Sequence, residues 1–469
     1  MESSSTAGDP TTGRQAGGTE LSWCRAVPSG TGVTVLALLL SRTPALPLLR
    51  SSLRRLQLSH PILRARLPSA AASNSSKPPP ILISPTPSDV IELIPSDQVS
   101  PITANRGTPP VSFIDAILEH EMSRNPWAEL EEGKSVGPFF VSVYELQEPG
   151  HSVVALRFHT AVCDRIAGIA ILKALMGYIS SGGGADREGR EDSAKEKEGE
   201  IGLAIEDLIR NEDARKPFWA RGKDLIGYSL NGIRSSVLRF EDAGSARKSE
   251  FVRFVMDAAA TRRLLTACNA RGIKLCSALT AAGFLATYDS KNLQKNQAET
   301  YSVVTLIDCR QYLNPPLTEN HVGFYHSGIL NTHTVHGEGF WEMAIRCHNA
   351  YSNAKKNKKH LSDIGELNYL MCKAIENPHL TPLSSLRTAL VSVFEEPIDY
   401  APMEELKVLG VEDFLGCSSV HGVGASVAFF DTIRNGELDC LCVYPSPLYS
   451  RKQIEELVGN IKRFLMDSC

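Results

Sequence analysis

The clearest pattern in the chain is a two-residue alternation that begins at Ser152 and runs into an apolar helix-like stretch. Val153, Ala155, Arg157 and His159 would share one face of a strand, and Val154, Leu156, Phe158 and Thr160 the other. The alternation stops at Thr160. A tight loop then carries Asp164, and apolar residues at helical spacing follow over 166–179. Upstream, residues 139–146 alternate in the same way. The turn residues Gln147-Glu-Pro-Gly150 predict that they pair with 151–159 as a hairpin.

The rest of the chain reads as mixed strands and helices. Residues 21–27 read as a strand before the Pro28-Ser-Gly-Thr-Gly32 turn, and 34–40 fit either a strand or a helix. Leucines over 47–56 predict a helix, with Pro47 suited to its first position. Strands are expected at 62–67, 81–84 and 90–94, a polar loop at 70–80 and a helix at 111–123. In the second half the pattern predicts helices at 202–210, 217–228, 258–270, 276–288, 340–357, 362–375 and 449–466. Strands are predicted at 251–256, 303–310 and 389–394, and 425–432 pairs with 438–444 around Asn435-Gly436, a strong hairpin signal.

Between 180 and 200 the chain changes character. Gly182-Gly-Gly184 opens a run of mixed charges without a large apolar residue, which reads as an exposed, flexible insert. At 469 residues the chain is too long for one ordinary core, so two domains are expected. The divisions are a disordered start (1–19), an N-terminal domain (20–179), the insert (180–200), linker helices (201–249) and a C-terminal domain (250–469).

Composition narrows the class further. Apolar residues make up 42% and charged residues 22%, and the net charge of -4 gives no electrostatic case for nucleic acid or an anionic membrane surface. Residues 1–20 lack the apolar core of a secretory signal, and the longest apolar run is far short of the roughly 20 residues that span a bilayer. A cytoplasmic monomer is expected. The eleven cysteines show no zinc spacing, and Cys440 and Cys442 would lie on one side of a strand, too far apart for easy bridging. Reduced thiols and no bound metal are expected.

A histidine ending a strand, closely followed by an aspartate, suits a general base on a rigid element; it also suits a loop held by hydrogen bonds. The stretch His159-Thr-Ala-Val-Cys-Asp164-Arg165 resembles the His-His-x-x-x-Asp-Gly signature of condensation domains and chloramphenicol-acetyltransferase-like acyltransferases. Other phrases resemble that family as well. Ser59-His-Pro-Ile-Leu-Arg64 is similar to its first helix-to-strand junction, Val303-Val-Thr-Leu-Ile-Asp-Cys-Arg310 to its Val-Asp-Leu-Arg strand, and 264–282 to the start of its second domain. Asp413-Phe-Leu-Gly416 matches only part of the Asp-Phe-Gly-Trp-Gly motif of the plant-type BAHD branch.

The resemblance implies an α/β architecture of two chloramphenicol-acetyltransferase-like domains, each a mixed sheet flanked by helices, set in a V around a channel. It implies transfer of an acyl group from an acyl-CoA co-substrate to a hydroxyl or amine acceptor. No other cofactor is expected. In the family the second His is the base, and that position holds Thr160, which has no ionisation near neutral pH. The catalytic candidates are therefore His159, Thr160 and Asp164, with His326 and His421 as further channel candidates from the second half. Asp164 is expected to pair structurally with Arg310, or with Arg165 as the local rival. The alternative is a catalytically inactive relative that binds an acyl thioester or a protein partner.

Overall fold

The computed structural model of the chain describes residues 13–68, 79–104, 112–128, 136–148, 150–182, 200–214, 216–291, 297–381, 385–400, 407 and 409–468. Its strands are β1 Gly13–Gln15, β2 Thr31–Leu40, β3 Ala65–Arg66, β4 Pro80–Ile83, β5 Ile91–Ile94, β6 Phe139–Glu145, β7 Ser152–His159 and β8 Lys248–Met256. They continue with β9 Glu299–Asp308, β10 His326–Val335, β11 Arg387–Phe394, β12 Ile398–Tyr400, β13 Val411–Val420, β14 Gly424–Arg434 and β15 Glu437–Ser446. One large sheet has the order β13-β2-β7-β6-β5. The other runs β10-β9-β11-β14-β15-β8, with β12 paired to β14, and β1-β4-β3 form a small third sheet.

β7 is a central strand and is buried along its whole length. Val154, Leu156 and Phe158 join a core under the helices Leu46–Ser59 and Arg165–Ser180. Val153 and Ala155 face the other way, into a core that also contains Phe251, Phe430, Leu441 and Val443 of the second sheet. The two sheets thus share one apolar layer, to which the helix Phe113–Ser123 contributes Ile114, Ile117 and Leu118. The opposite face of the second sheet, including Cys440, Cys442 and Tyr444, packs with residues of the helices Leu275–Ser290 and Arg451–Asp467. No disulfide joins the described cysteines, Cys440 and Cys442 included.

The strand expected at 21–27 is instead a helix, Gly18–Ala26. Local chemistry favours it: Glu20 reaches back to accept the Gly17 N–H at 2.8 Å. Packing then buries Ser22, Cys24 and Ala26 while Leu21, Trp23 and Arg25 stay half-buried. That alternation mimics a strand. Residues 62–67 are likewise a 3₁₀ turn, Pro61–Arg64, followed by the two residues of β3, and only Ile205–Leu208 is helical within 202–210. Gly13–Gln15 and the start of the first helix fall inside the stretch expected to be disordered. The charged insert lies outside the described residues over 183–199, as does most of the loop at 70–80.

β13 is the main departure from a chain divided into consecutive domains. It comes from the second half yet forms the edge of the first sheet, antiparallel to β2, with Leu415 opposite Ala37 and Cys417 opposite Val35. Two arginines secure it to the second sheet. Arg253 donates to Asp413 at 2.8 Å and to Asp439 at 2.7 Å, and Arg434 donates to Asp413 at 2.7 Å. Glu119 of the first half accepts the Phe251 N–H at 3.1 Å and pairs with Arg451.

The β13–β14 turn lies directly on the Pro28–Gly32 turn. A methyl group on Gly422 would come within 2.3 Å of the Ser29 carbonyl oxygen. Backbone cannot swing aside as a side chain can, so Gly422→Ala should cost about 1–3 kcal/mol by overpacking. A denaturant melt measures this, and a variant of unchanged midpoint would show that the two turns separate freely.

Candidate active site

Asp164 is the fixed point of the site. It caps the helix Arg165–Ser180, with Oδ1 accepting the Ala167 N–H at 2.8 Å. Its remaining partners come from the second half. Arg310 grips it in a fork, with Nη2 3.0 Å from Oδ1 and Nη1 3.0 Å from Oδ2. The Tyr325 N–H donates to Oδ2 at 2.8 Å. His326 Nδ1 lies 3.1 Å from the same oxygen, at ion-pair distance but without the alignment of a hydrogen bond. Burial alone would raise the carboxyl, but the Arg310 charge and then His326 outweigh it and hold Asp164 well below the usual carboxylate range. Arg310 is buried too, pairs with Asp308 at 2.8 Å and lies over the Tyr325 ring.

β7 keeps its register with β2 up to His159, so no bulge turns that side chain toward the Thr160 side. His159 packs edge-on to Trp127, and its Nδ1 accepts the Ala161 N–H at 3.1 Å. Burial pushes its imidazole down to about 3. The accepting Nδ1 is occupied, which leaves the proton on Nε2, so the free nitrogen of this ring is a donor. Thr160 is pinned as well. Its hydroxyl donates to the Gly32 carbonyl at 2.6 Å and lies 2.8 Å from the Thr34 hydroxyl, which in turn lies 2.7 Å from Ser418.

Arg165, the local rival for Asp164, turns away from it. It crosses to the second sheet, pairs with Asp431 at 3.3 Å, and stacks 4.3 Å above Phe394. Burial pushes Asp431 up and Arg165 down, so loss of water outweighs their attraction. His421 is not near these groups in contact terms. Its Nδ1 lies 3.0 Å from Ser249 Oγ, its ring covers Gly30, and burial, helped by Arg387 and Arg247, pushes it down to about 4. Gly30 has φ of +101°, and its missing Cβ makes room for that ring.

Residues that the sequence pattern does not single out complete the site. Trp23 lies against Gly32 and beside the Thr160 hydroxyl. Its ring centroid is 5.2 Å from Phe324, which is 6.2 Å from His326, which is 5.8 Å from Phe394. Trp23, Phe324 and Phe394 are only half-buried, so this aromatic row is not sealed inside the core. Among the described residues no cluster of three or more His, Cys, Asp or Glu could hold a metal, and no helix is long and apolar enough to cross a membrane.

The site therefore consists of a strand end and helix cap from one half, clasped by an arginine and a strand start from the other. Solved structures share the overall fold. The trichothecene 15-O-acetyltransferase of Fusarium sporotrichioides superposes with a TM-score of 0.73 at 13% identity, over 98% of this chain and 96% of that one. The chain has the two-domain chloramphenicol-acetyltransferase-like fold of condensation domains. The same fold is shared with polyketide synthase associated protein 5 of Mycobacterium tuberculosis, at a TM-score of 0.64, 14% identity and coverage of 97% and 98%. The epimerization domain from the third module of tyrocidine synthetase B matches at 0.60, with 13% identity and coverage of 99% and 98%. No family model and no curated protein sequence matches the chain.

Breaking the Asp164–Arg310 fork strands a buried charge, which typically costs about 3–5 kcal/mol. Asp164→Ala and Arg310→Ala should each destabilise by that order, and the double variant by less than their sum. Denaturant melts of the four proteins check this; additive losses would mean that the fork contributes nothing. The pH dependence follows from the same contact. Because the folded-state carboxyl ionises below an unfolded aspartate, its contribution is complete above about pH 4 and is lost as pH falls further. Asp164→Asn should therefore flatten the acid side of the stability profile.

Proposed function

We propose that the chain is an acyltransferase that moves an acyl group from an acyl-CoA thioester to a hydroxyl or amine acceptor. The observation that carries this reading is the clasped motif loop: Asp164 of one half, held by Arg310 and Tyr325 of the other, beside a half-buried aromatic row. Such a seam, drier than bulk water and lined by apolar rings, suits an acyl chain and strengthens any electrostatic help to a developing oxyanion. The similarity in fold to an acetyltransferase supports the same reaction class.

A second reading has its own observation. The resemblance puts Thr160 at the position of the family base, and its hydroxyl is committed to Gly32 and Thr34. A chain so built could bind a thioester or a partner without turnover. One structural neighbour, the X-domain from teicoplanin biosynthesis, is found in a complex with OxyB.

A release assay separates the two. Purified protein is given acetyl-, hexanoyl-, palmitoyl- or benzoyl-CoA with water, primary alcohols or primary amines as acceptors, and free CoA thiol is followed. Acyl transfer predicts catalytic CoA release with at least one pair. Calorimetric binding of acyl-CoA without release by any pair would favour the silent reading.

A further inference from the structure

Among the histidines of the site, one has the geometry of a base. His326 opens β10 and is 5% exposed, with Nδ1 sealed from solvent 3.1 Å from Asp164 Oδ2. No acceptor is hydrogen-bonded to that nitrogen among the described residues, and the Asp164 carboxylate is at ion-pair distance from it. A carboxylate beside one ring nitrogen draws the proton to it and leaves the lone pair on the other. The same Oδ2 accepts from the Tyr325 N–H and faces Arg310. Catalytic hydrogen bonds are often poorly aligned until substrate binds. Nε2 lies on the far edge of the ring, the side away from Nδ1. The ring itself stands between the half-buried Phe324 and Phe394.

His159 has the reverse arrangement. Its acceptor nitrogen is used by the Ala161 N–H, so the nitrogen it could offer carries a hydrogen. Thr160 cannot replace it.

We infer that His326, oriented by Asp164, is the general base of the reaction, in place of a histidine at position 160. The inference rests on the acyltransferase reading above. In the step it describes, Nε2 takes the proton from the acceptor hydroxyl or amine as that atom attacks the thioester carbonyl carbon. The tetrahedral intermediate collapses with cleavage of the carbon–sulfur bond, and the imidazolium returns its proton to the CoA thiolate. The products are an ester or amide and free CoA. Asp164 acts as a positioning residue: it holds the tautomer and stabilises the transient imidazolium, while Arg310 keeps Asp164 itself ionised. The aromatic row on either side places the apolar part of the acyl donor or acceptor against Trp23, Phe324 and Phe394.

The test uses whichever acyl-CoA and acceptor pair the release assay identifies. His326→Ala should lower CoA release by about 100-fold or more, the usual weight of a general base. Its calorimetric affinity for CoA should stay within about threefold of wild type, and added imidazole should restore release at least tenfold, which a structural residue would not allow. Release that persists in H326A overturns the assignment, as does a loss that imidazole does not relieve. Release lost in His159→Gln but kept in H326A transfers the base to His159 and also overturns it. If wild type releases CoA from no pair, the acyltransferase reading fails and this inference fails with it.

Discussion

One buried carboxylate organises the site. Asp164 takes four N–H groups or charges from three directions: its own helix, the Arg310 fork and the backbone of Tyr325. A carboxylate without water must find such partners or give up its charge. Here the partners come from both halves, so the contact that satisfies Asp164 also fixes where the second half's strand start lies. Tyr325 and His326 are placed by the need to solvate an anion. The catalytic geometry inferred for His326 is thus a by-product of the same electrostatics that hold the seam shut.

Two positions close to Asp164 are held in different ways. Thr160 is absorbed into a hydroxyl chain with Thr34 and Ser418 at the end of the first sheet. Arg165 extends across the seam to Asp431 and Phe394. Both side chains fill space with bonded polar groups. They leave Asp164 and Arg310 untouched, and the fold's architecture is shared with neighbours at 13–14% identity.

The parts of the structure that could be read in the sequence are those specified locally or by a motif. The β6–β7 hairpin, the helix after Asp164 and the β14–β15 hairpin at Asn435-Gly436 follow from period and turn chemistry. The Asp164–Arg310 contact spans far more sequence, yet both residues sit in phrases with a family resemblance, which is why the pair could be named in advance. The first helix escaped because its short stretch Leu21-Ser-Trp-Cys-Arg-Ala-Val27, with large apolar residues at two-residue spacing, imitates a strand. Trp23, Phe324 and Phe394 meet only after the sheets assemble, and nothing in their local sequence marks them. His326 could be named as a candidate but not assigned, since its meaning depends on which ring nitrogen meets the carboxylate.

β13 has a wider consequence. Because residues 411–420 complete the sheet that begins with residues 31–40, the first sheet cannot finish until nearly the whole chain is present. Its β2 edge would otherwise show unpaired backbone groups to any strand that came near. Contacts so distant in sequence are slow to form. A nascent chain of this protein therefore carries an open sheet edge through most of its synthesis, and a cut between the two halves would remove the edge strand of the first sheet.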